Sequence, residues 1–244
     1  MGTKRLIAML VLVGAAAGCG GSESSDSEPP TSSGEVTDTD GVATEPSVDA
    51  SNADETLMEA IRNDDVAIVR AALDAGADPE GDASVPLLHL AADRGSADLV
   101  AALLDAGADI ESTGTSEQTA LIRAALAGDV ETVQLLIDSG ADLDLRESSP
   151  GRTAIQLVID GGGSTEIIAV LLDAGSDIDA MDDRGETALA SAAFMGELPA
   201  AELLVESGAS VDTVNSEGVS PLDWATQRNN DEIVELLVAN GAGD

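Results

Sequence analysis

The chain has 244 residues and a formal net charge of −37, which excludes nucleic acid and anionic membrane surfaces as electrostatic partners. Apolar residues make up 43 %, yet there is one Phe, one Trp and no Tyr. A core of small aliphatics suits thin, closely stacked helices and argues against an enzyme built around a deep aromatic pocket.

Residues 1–18 read as an export signal. Lys4 and Arg5 supply a positive start, and Leu6 to Ala17 is an apolar run too short to span a bilayer. It ends in Ala16-Ala17-Gly18-Cys19. Small residues before a lone cysteine resemble the bacterial lipobox, with Ala16 where that motif usually has Leu. The resemblance implies cleavage before Cys19 and lipidation of its thiol. The other reading of the residues is an ordinary secretory signal cut after one of the alanines. Cys19 is the only cysteine, so it forms no internal disulfide. Gly20 follows it rather than Asp, which by the rule for Gram-negative lipoproteins implies sorting to the outer membrane, facing the periplasm or the cell surface.

Residues 19–53 are rich in Ser, Asp, Glu, Thr, Gly and Pro and lack apolar periodicity. Such a stretch buries too little surface to offset chain entropy and is expected to be a disordered acidic tether. Its random-coil reach is roughly 30 Å.

From residue 54 to residue 242 the chain repeats itself. Leu103-Leu104-Asp105-Ala106-Gly107-Ala108-Asp109 returns, lightly edited, at Leu136, Leu171, Leu203 and Leu236, with an earlier copy at Ala72. The glycines Gly76, Gly107, Gly140, Gly175, Gly208 and Gly241 mark a period of 31 to 35 residues. That period predicts a solenoid of six units, near 54–82, 83–113, 114–147, 148–181, 182–214 and 215–242. In the third unit, Thr119 is the expected N-cap of a helix that Gly128 ends. Val130 to Ile137 is a second helix, apolar at 130, 133, 136 and 137, and Gly140 ends it. Neither helix has a partner for its apolar face inside the unit, so neighbouring units must supply one.

Thr187-Ala188-Leu189, Ser220-Pro221-Leu222-Asp223-Trp224-Ala225, Leu88-His89-Leu90-Ala91-Ala92 and the repeated Leu-Leu-x-x-Gly-Ala-Asp resemble the ankyrin repeat over residues 54–242. The resemblance implies an all-α solenoid of helix-turn-helix units joined by hairpin loops. Three departures carry expectations. Glu80, Glu111, Asp144, Asp179 and Asp212 stand where the family usually has Asn, and a carboxylate there still accepts backbone hydrogen bonds. Pro86 falls one place early, which predicts a shifted helix start in the second unit. Gly161-Gly162-Gly163 makes the fourth inter-helix connection one residue longer, which predicts a loosened loop. The first and sixth units, with polar Arg62 to Asp65 and Gln227 to Asn230, read as caps of the stack.

Chemistry is sparse. His89 is the only histidine, which excludes most metal-ligand sets and imidazole-dependent nucleophile pairs. The family resemblance gives it a structural bond to an adjoining turn. Carboxylate pairs such as Asp142/Asp144 and Asp177/Asp179 suit weak Ca²⁺ binding or a solvated hairpin. Gly161-Gly162-Gly163 has no neighbouring lysine and does not read as a phosphate loop. No catalytic residue, cofactor, metal or small-molecule substrate is expected.

The resemblance also implies a binding face on the hairpin tips and the exposed ends of the first helices. In this chain those positions are Asp93, Arg94, Gln118, Leu126, Ala127, Arg152, Asp160, Arg184, Glu186, Phe194, Met195, Gln227 and Arg228. Phe194, the only Phe, is a candidate interface anchor. It either stands on the groove or packs against the following unit's helix, and the sequence leaves both open. Arg94, Arg152, Arg184 and Arg228 suggest a mixed-charge strip. The expected function is non-catalytic binding of another protein by an exported chain that meets the membrane only through its lipid anchor. The alternatives are an immunity or accessory protein for one envelope protein, and an acidic structural protein with weak cation binding. The acids are spread over every unit, so they suit either a face for a basic partner or a solvated surface.

Overall fold

A computed structural model describes residues 48–82, 85–114 and 117–243. The export signal, Cys19 and the tether up to residue 47 lie outside the described residues.

Twelve helices form six antiparallel pairs within the described residues. The pairs are α1 (Ala53–Arg62) with α2 (Val66–Asp74), α3 (Leu87–Asp93) with α4 (Ala97–Asp105), and α5 (Ala120–Ala127) with α6 (Val130–Asp138). They continue as α7 (Ala154–Asp160) with α8 (Thr165–Asp173), α9 (Ala188–Met195) with α10 (Leu198–Glu206), and α11 (Pro221–Arg228) with α12 (Asp231–Ala239). The odd-numbered helices pack side by side as an inner layer, and the even-numbered ones form an outer layer behind them. This is the all-α solenoid of helix-turn-helix units that the ankyrin resemblance implies.

Short helices of this kind need help at both ends, because their terminal backbone groups lack partners. Asp65, Thr119, Asp129, Ser164, Thr187 and Ser220 each accept a backbone N–H at a helix start. Each outer helix is followed by one of the six marker glycines, with φ between +91° and +100°, a conformation in which a side chain would be strained. The sequence ruler is therefore a ladder of left-handed turns.

The core is thin. Ala91, Ala92, Ala124, Ala125, Ala192 and Ala193 are buried on the inner layer, where small side chains let neighbouring helices approach. Leu99, Leu103, Val133, Leu136, Ile167, Ile168, Leu171, Leu204, Ile233 and Leu237 are buried on the outer layer. No unit could bury this surface alone, which is why stacking and folding are one event here.

Two local expectations change. The helix of the second unit is not shifted: Leu87 precedes Ala120 by one 33-residue period. Pro86 instead occupies the N-cap position without a side-chain hydrogen bond, and a two-residue ladder of Gly81–Asp82 with Val85–Pro86 leads into the helix. The triple glycine is not loosened. The N–H groups of Gly161, Gly162 and Gly163 donate to the carbonyls of Leu157, Ile159 and Val158, closing the end of α7. A Cβ on Gly163 would meet Val158 at 2.7 Å, so glycine is what lets the turn close so tightly.

The acidic positions behave as expected and do more. Glu80 Oε1 accepts the N–H of Asp109 at 2.6 Å, and Glu111 Oε1 accepts that of Asp142 at 2.7 Å. Asp144, Asp179 and Asp212 accept those of Asp177, Ser210 and Gly243. Each carboxylate reaches one unit forward, so a ladder of charge-assisted bonds runs along this edge. Its partner acids, Asp78, Asp109, Asp142 and Asp177, fold their own turns by accepting the N–H two residues on. Among the described residues no cluster of three or more His, Cys, Asp or Glu is arranged to hold a metal. No helix among them is long and apolar enough to cross a membrane.

Candidate protein-binding groove

The inner helices from α3 to α11 can be compared place by place. Their fourth residues are Leu90, Arg123, Leu157, Ser191 and Trp224, and their seventh residues are Asp93, Leu126, Asp160, Phe194 and Gln227. At two steps a fourth residue touches the seventh residue of the preceding inner helix. Arg123 Nε donates to Asp93 at 2.9 Å across one such step. Trp224 stacks edge-to-face on Phe194 across another, with ring centroids 5.0 Å apart and planes at 88°. Between these steps, the fourth place of α9 holds only Ser191.

That gap opens a cavity of about 340 Å³ lined by Asp160, Arg184, Glu186, Ala190, Ser191, Phe194, Met195 and Trp224. Its volume is at the small end for ligand sites and suits one or two side chains. It spans α7, α9 and α11 and is flanked by the hairpin ahead of α9.

The hairpin is held firmly. Asp182 is buried, and its Oδ1 accepts the N–H groups of Arg184 and Glu186, at 2.8 and 2.9 Å. Its Oδ2 takes the Arg184 guanidinium at 3.2 Å. Gln156, 1 % exposed, donates from Nε2 to the Glu186 carbonyl at 2.6 Å while its Oε1 accepts the Thr153 N–H. The Glu186 carboxylate in turn accepts Asn215 Nδ2 at 2.6 Å and Trp224 Nε1 at 3.1 Å. Glu186 therefore ties three units together and stands on the cavity wall with a fixed orientation. Asp160 on the other side is ion-paired to Arg152, which also binds Glu147 at 2.7 Å. Burial works against the charge on Arg152, but its bonds to Glu147 and Asp160 outweigh that and hold the guanidinium above its ordinary value.

Of the residues expected from the sequence, Arg184, Glu186, Phe194 and Met195 come together around the cavity, with Asp160. Both readings of Phe194 hold in part: it packs against Trp224 of the following unit and still lines the cavity. The Arg228 guanidinium lies 3.7 Å from the centre of its ring, a cation–π contact. Leu126 and Met195 are each 45 % exposed on the same helix layer. Asp93 is tied to Arg123, while Arg94, Gln118 and Gln227 lie outside the cavity. The arginines do not make one strip of free cations. Arg152 and Arg184 are paired within the chain, and Arg228 is spent on Phe194.

His89 is structural in geometry. It is 2 % exposed, and its Nε2 donates to the Ser112 carbonyl at 2.7 Å. Desolvation lowers its pKa, against the opposing pull of the Ser112 bond.

Sequence reasoning placed Trp224 only as part of a repeat motif, and it did not single out Ser191 or Gln156. The available signal was the column of fourth residues, where a serine interrupts larger side chains.

A family profile described as ankyrin repeats (3 copies) matches residues 57–147, 88–182 and 155–243. The chain belongs to the ankyrin-repeat family, a class of protein–protein interaction modules. The ankyrin repeat domain of Bcl-3, described as a unique member of the IkappaB protein family, is similar in structure. It has a TM-score of 0.69 and 31 % identity, covering 75 % of this chain and 81 % of that one. No match is found among curated proteins.

Proposed function

We propose that this chain is a non-catalytic binding protein that grips a protein partner in the groove of its fourth to sixth units. On this reading it is exported and held at a bacterial membrane through a lipid on Cys19, with residues 19–53 as the tether. The groove reading rests on one observation. The cavity around Ser191 joins a tryptophan, a phenylalanine and an exposed methionine to two carboxylates whose positions are set by other parts of the fold. Rigid aromatic anchors beside oriented charges are what concentrates binding energy in protein interfaces. The export reading rests on Lys4, Arg5, the apolar run to Ala17 and the lone Cys19.

One experiment tests both parts. A photo-reactive amino acid is placed at Met195, or at Glu202 on the outer helix α10, in the full chain expressed in its host. The expected result is one discrete adduct from Met195 and none from Glu202, with the uncrosslinked protein in the membrane fraction and released by Cys19→Ser. Equal adducts from both faces would reject the groove. A Cys19→Ser protein that stays with the membrane would reject the anchor.

A further inference from the structure

The cavity around Ser191 also carries information about what enters it, an inference that rests on the groove reading above. We propose that it receives a single lysine or arginine side chain from the partner, with the aliphatic stem on the aromatics and the cation on Glu186 and Asp160.

Four observations support this. First, the lining combines apolar side chains (Ala190, Phe194, Met195 and Trp224) with carboxylates, the two kinds of surface that the stem and head of a long cationic side chain need. Second, the two carboxylates keep acceptor capacity. An ionised carboxylate offers about four lone-pair sites. Glu186 Oε1 takes both Asn215 and Trp224, while Oε2 only shares the Trp224 N–H and keeps a free lone pair, and Arg152 engages only Oδ2 of Asp160 among the described residues. Third, the one cation on the lining, Arg184, is already neutralised by the buried Asp182. An incoming anion would therefore meet two carboxylates and a guanidinium that is already engaged. Fourth, the net charge of −37 draws cationic partners toward every face and repels anionic ones. A neutral aliphatic side chain would contact the apolar lining but leave the Glu186 carboxylate, which has no cationic partner among the described residues, desolvated without a counter-charge, which is unfavourable.

The site is particular to this part of the stack. Leu157 and Trp224 occupy the place of Ser191 in the units on either side, so the fold accepts large side chains there. Ser191→Leu is therefore a plug that the architecture tolerates.

The chain contains one tryptophan, and it lines the cavity, so intrinsic fluorescence reports entry directly. The full chain is titrated with acetylated, amidated peptides that are alike except for a central lysine, arginine, norleucine or glutamate. The ionic strength is about 0.15 M, where charges beyond roughly 8 Å are screened. The expected result is saturable quenching by the lysine and arginine peptides, with Kd at least about tenfold below that of norleucine, a difference of about 1.4 kcal/mol. Glutamate should not bind. Ser191→Leu should abolish the signal, and Glu186→Gln should bring lysine and norleucine to within about twofold of each other. Glu186→Gln keeps an acceptor for Trp224 and Asn215, so it remains informative if Ser191→Leu fails to fold.

Equal affinities for lysine and norleucine, both lost in Ser191→Leu, would overturn the cation assignment and leave the groove reading standing. Lysine binding that survives Ser191→Leu would place the interaction elsewhere and overturn the proposal. No saturable change below about 1 mM with any peptide overturns it too. The groove reading is then decided separately by the crosslink from Met195.

Discussion

Two edges of the solenoid are built from the same kinds of residue and behave in opposite ways. Along the turn edge, each of the first five units offers a carboxylate at the same place, and every one of these does the same thing: it accepts a backbone N–H of the next unit. Along the groove, the equivalent places change from unit to unit, from an Arg123–Asp93 ion pair to a serine gap to a Trp224–Phe194 stack. Where a repeat protein repeats itself, the residue serves the stack. Where it stops repeating, the residue is free to serve something else. Acidity therefore has two meanings in one chain, with Glu111 holding units together and Glu186 standing beside a cavity.

The largest expected effect comes on the groove side, from cutting the bond that holds its hairpin. Gln156 is buried and bonds both the Thr153 N–H and the Glu186 carbonyl. Gln156→Ala would leave two polar groups without partners, at about 1–3 kcal/mol each. Unfolding in urea should show a loss of about 3 kcal/mol, and Trp224 fluorescence should shift in the folded state as the Glu186 hairpin loosens. A loss of stability with unchanged Trp224 emission would mean that the hairpin, and with it Glu186, is held without Gln156.

A smaller effect is expected on the ladder. Glu111→Ala removes one bond to the Asp142 N–H and should cost about 1 kcal/mol. Glu111→Gln keeps an acceptor and removes a charge from an acidic edge, so its stability should fall within about 0.5 kcal/mol of the parent. Added salt screens like-charge repulsion, so the parent's Tm should rise with ionic strength, and a variant with Gln at 80 and 111 and Asn at 144, 179 and 212 should respond less. If Gln is as damaging as Ala at position 111, the charge itself holds the bond and the ladder is not an interchangeable acceptor series.

The same contrast explains what could be read in advance. The marker glycines, the Ser and Thr caps and the turn carboxylates recur at fixed places in the unit, so periodicity and the family resemblance place them together. Arg184, Glu186, Phe194 and Met195 could be mapped because the groove follows from the fold. Ser191 could not, because a serine in a helix carries no signal until Leu157 and Trp224 are set beside it. Nor could the fate of the arginines. Arg152 sits where a groove residue is expected, but its side chain turns to Glu147 and Asp160, a choice made by side-chain geometry and not by spacing.

His89 and Gln156 occupy the third place of α3 and α7, and each donates to a carbonyl in the next hairpin region, at Ser112 and Glu186. One donor titrates and the other does not, which gives the smallest and most specific test. Burial lowers the pKa of His89, with Arg123 acting in the same direction and the Ser112 bond and Asp93 opposing. The folded protein therefore prefers the neutral ring more than the unfolded chain does. In the unfolded state the ring protonates near its ordinary value of about 6.5, so the unfolded state binds more protons below that pH. The contribution of His89 is complete above about pH 6.5 and is lost as pH falls from there toward the folded pKa. Thermal melts between about pH 7.5 and pH 5.5 should show a declining Tm, in a window above the usual carboxylate range. His89→Gln should flatten that decline while keeping most of the stability, because glutamine already performs the same task at position 156. An unaltered slope in His89→Gln would mean that the neutral ring of His89 is not the source of the decline.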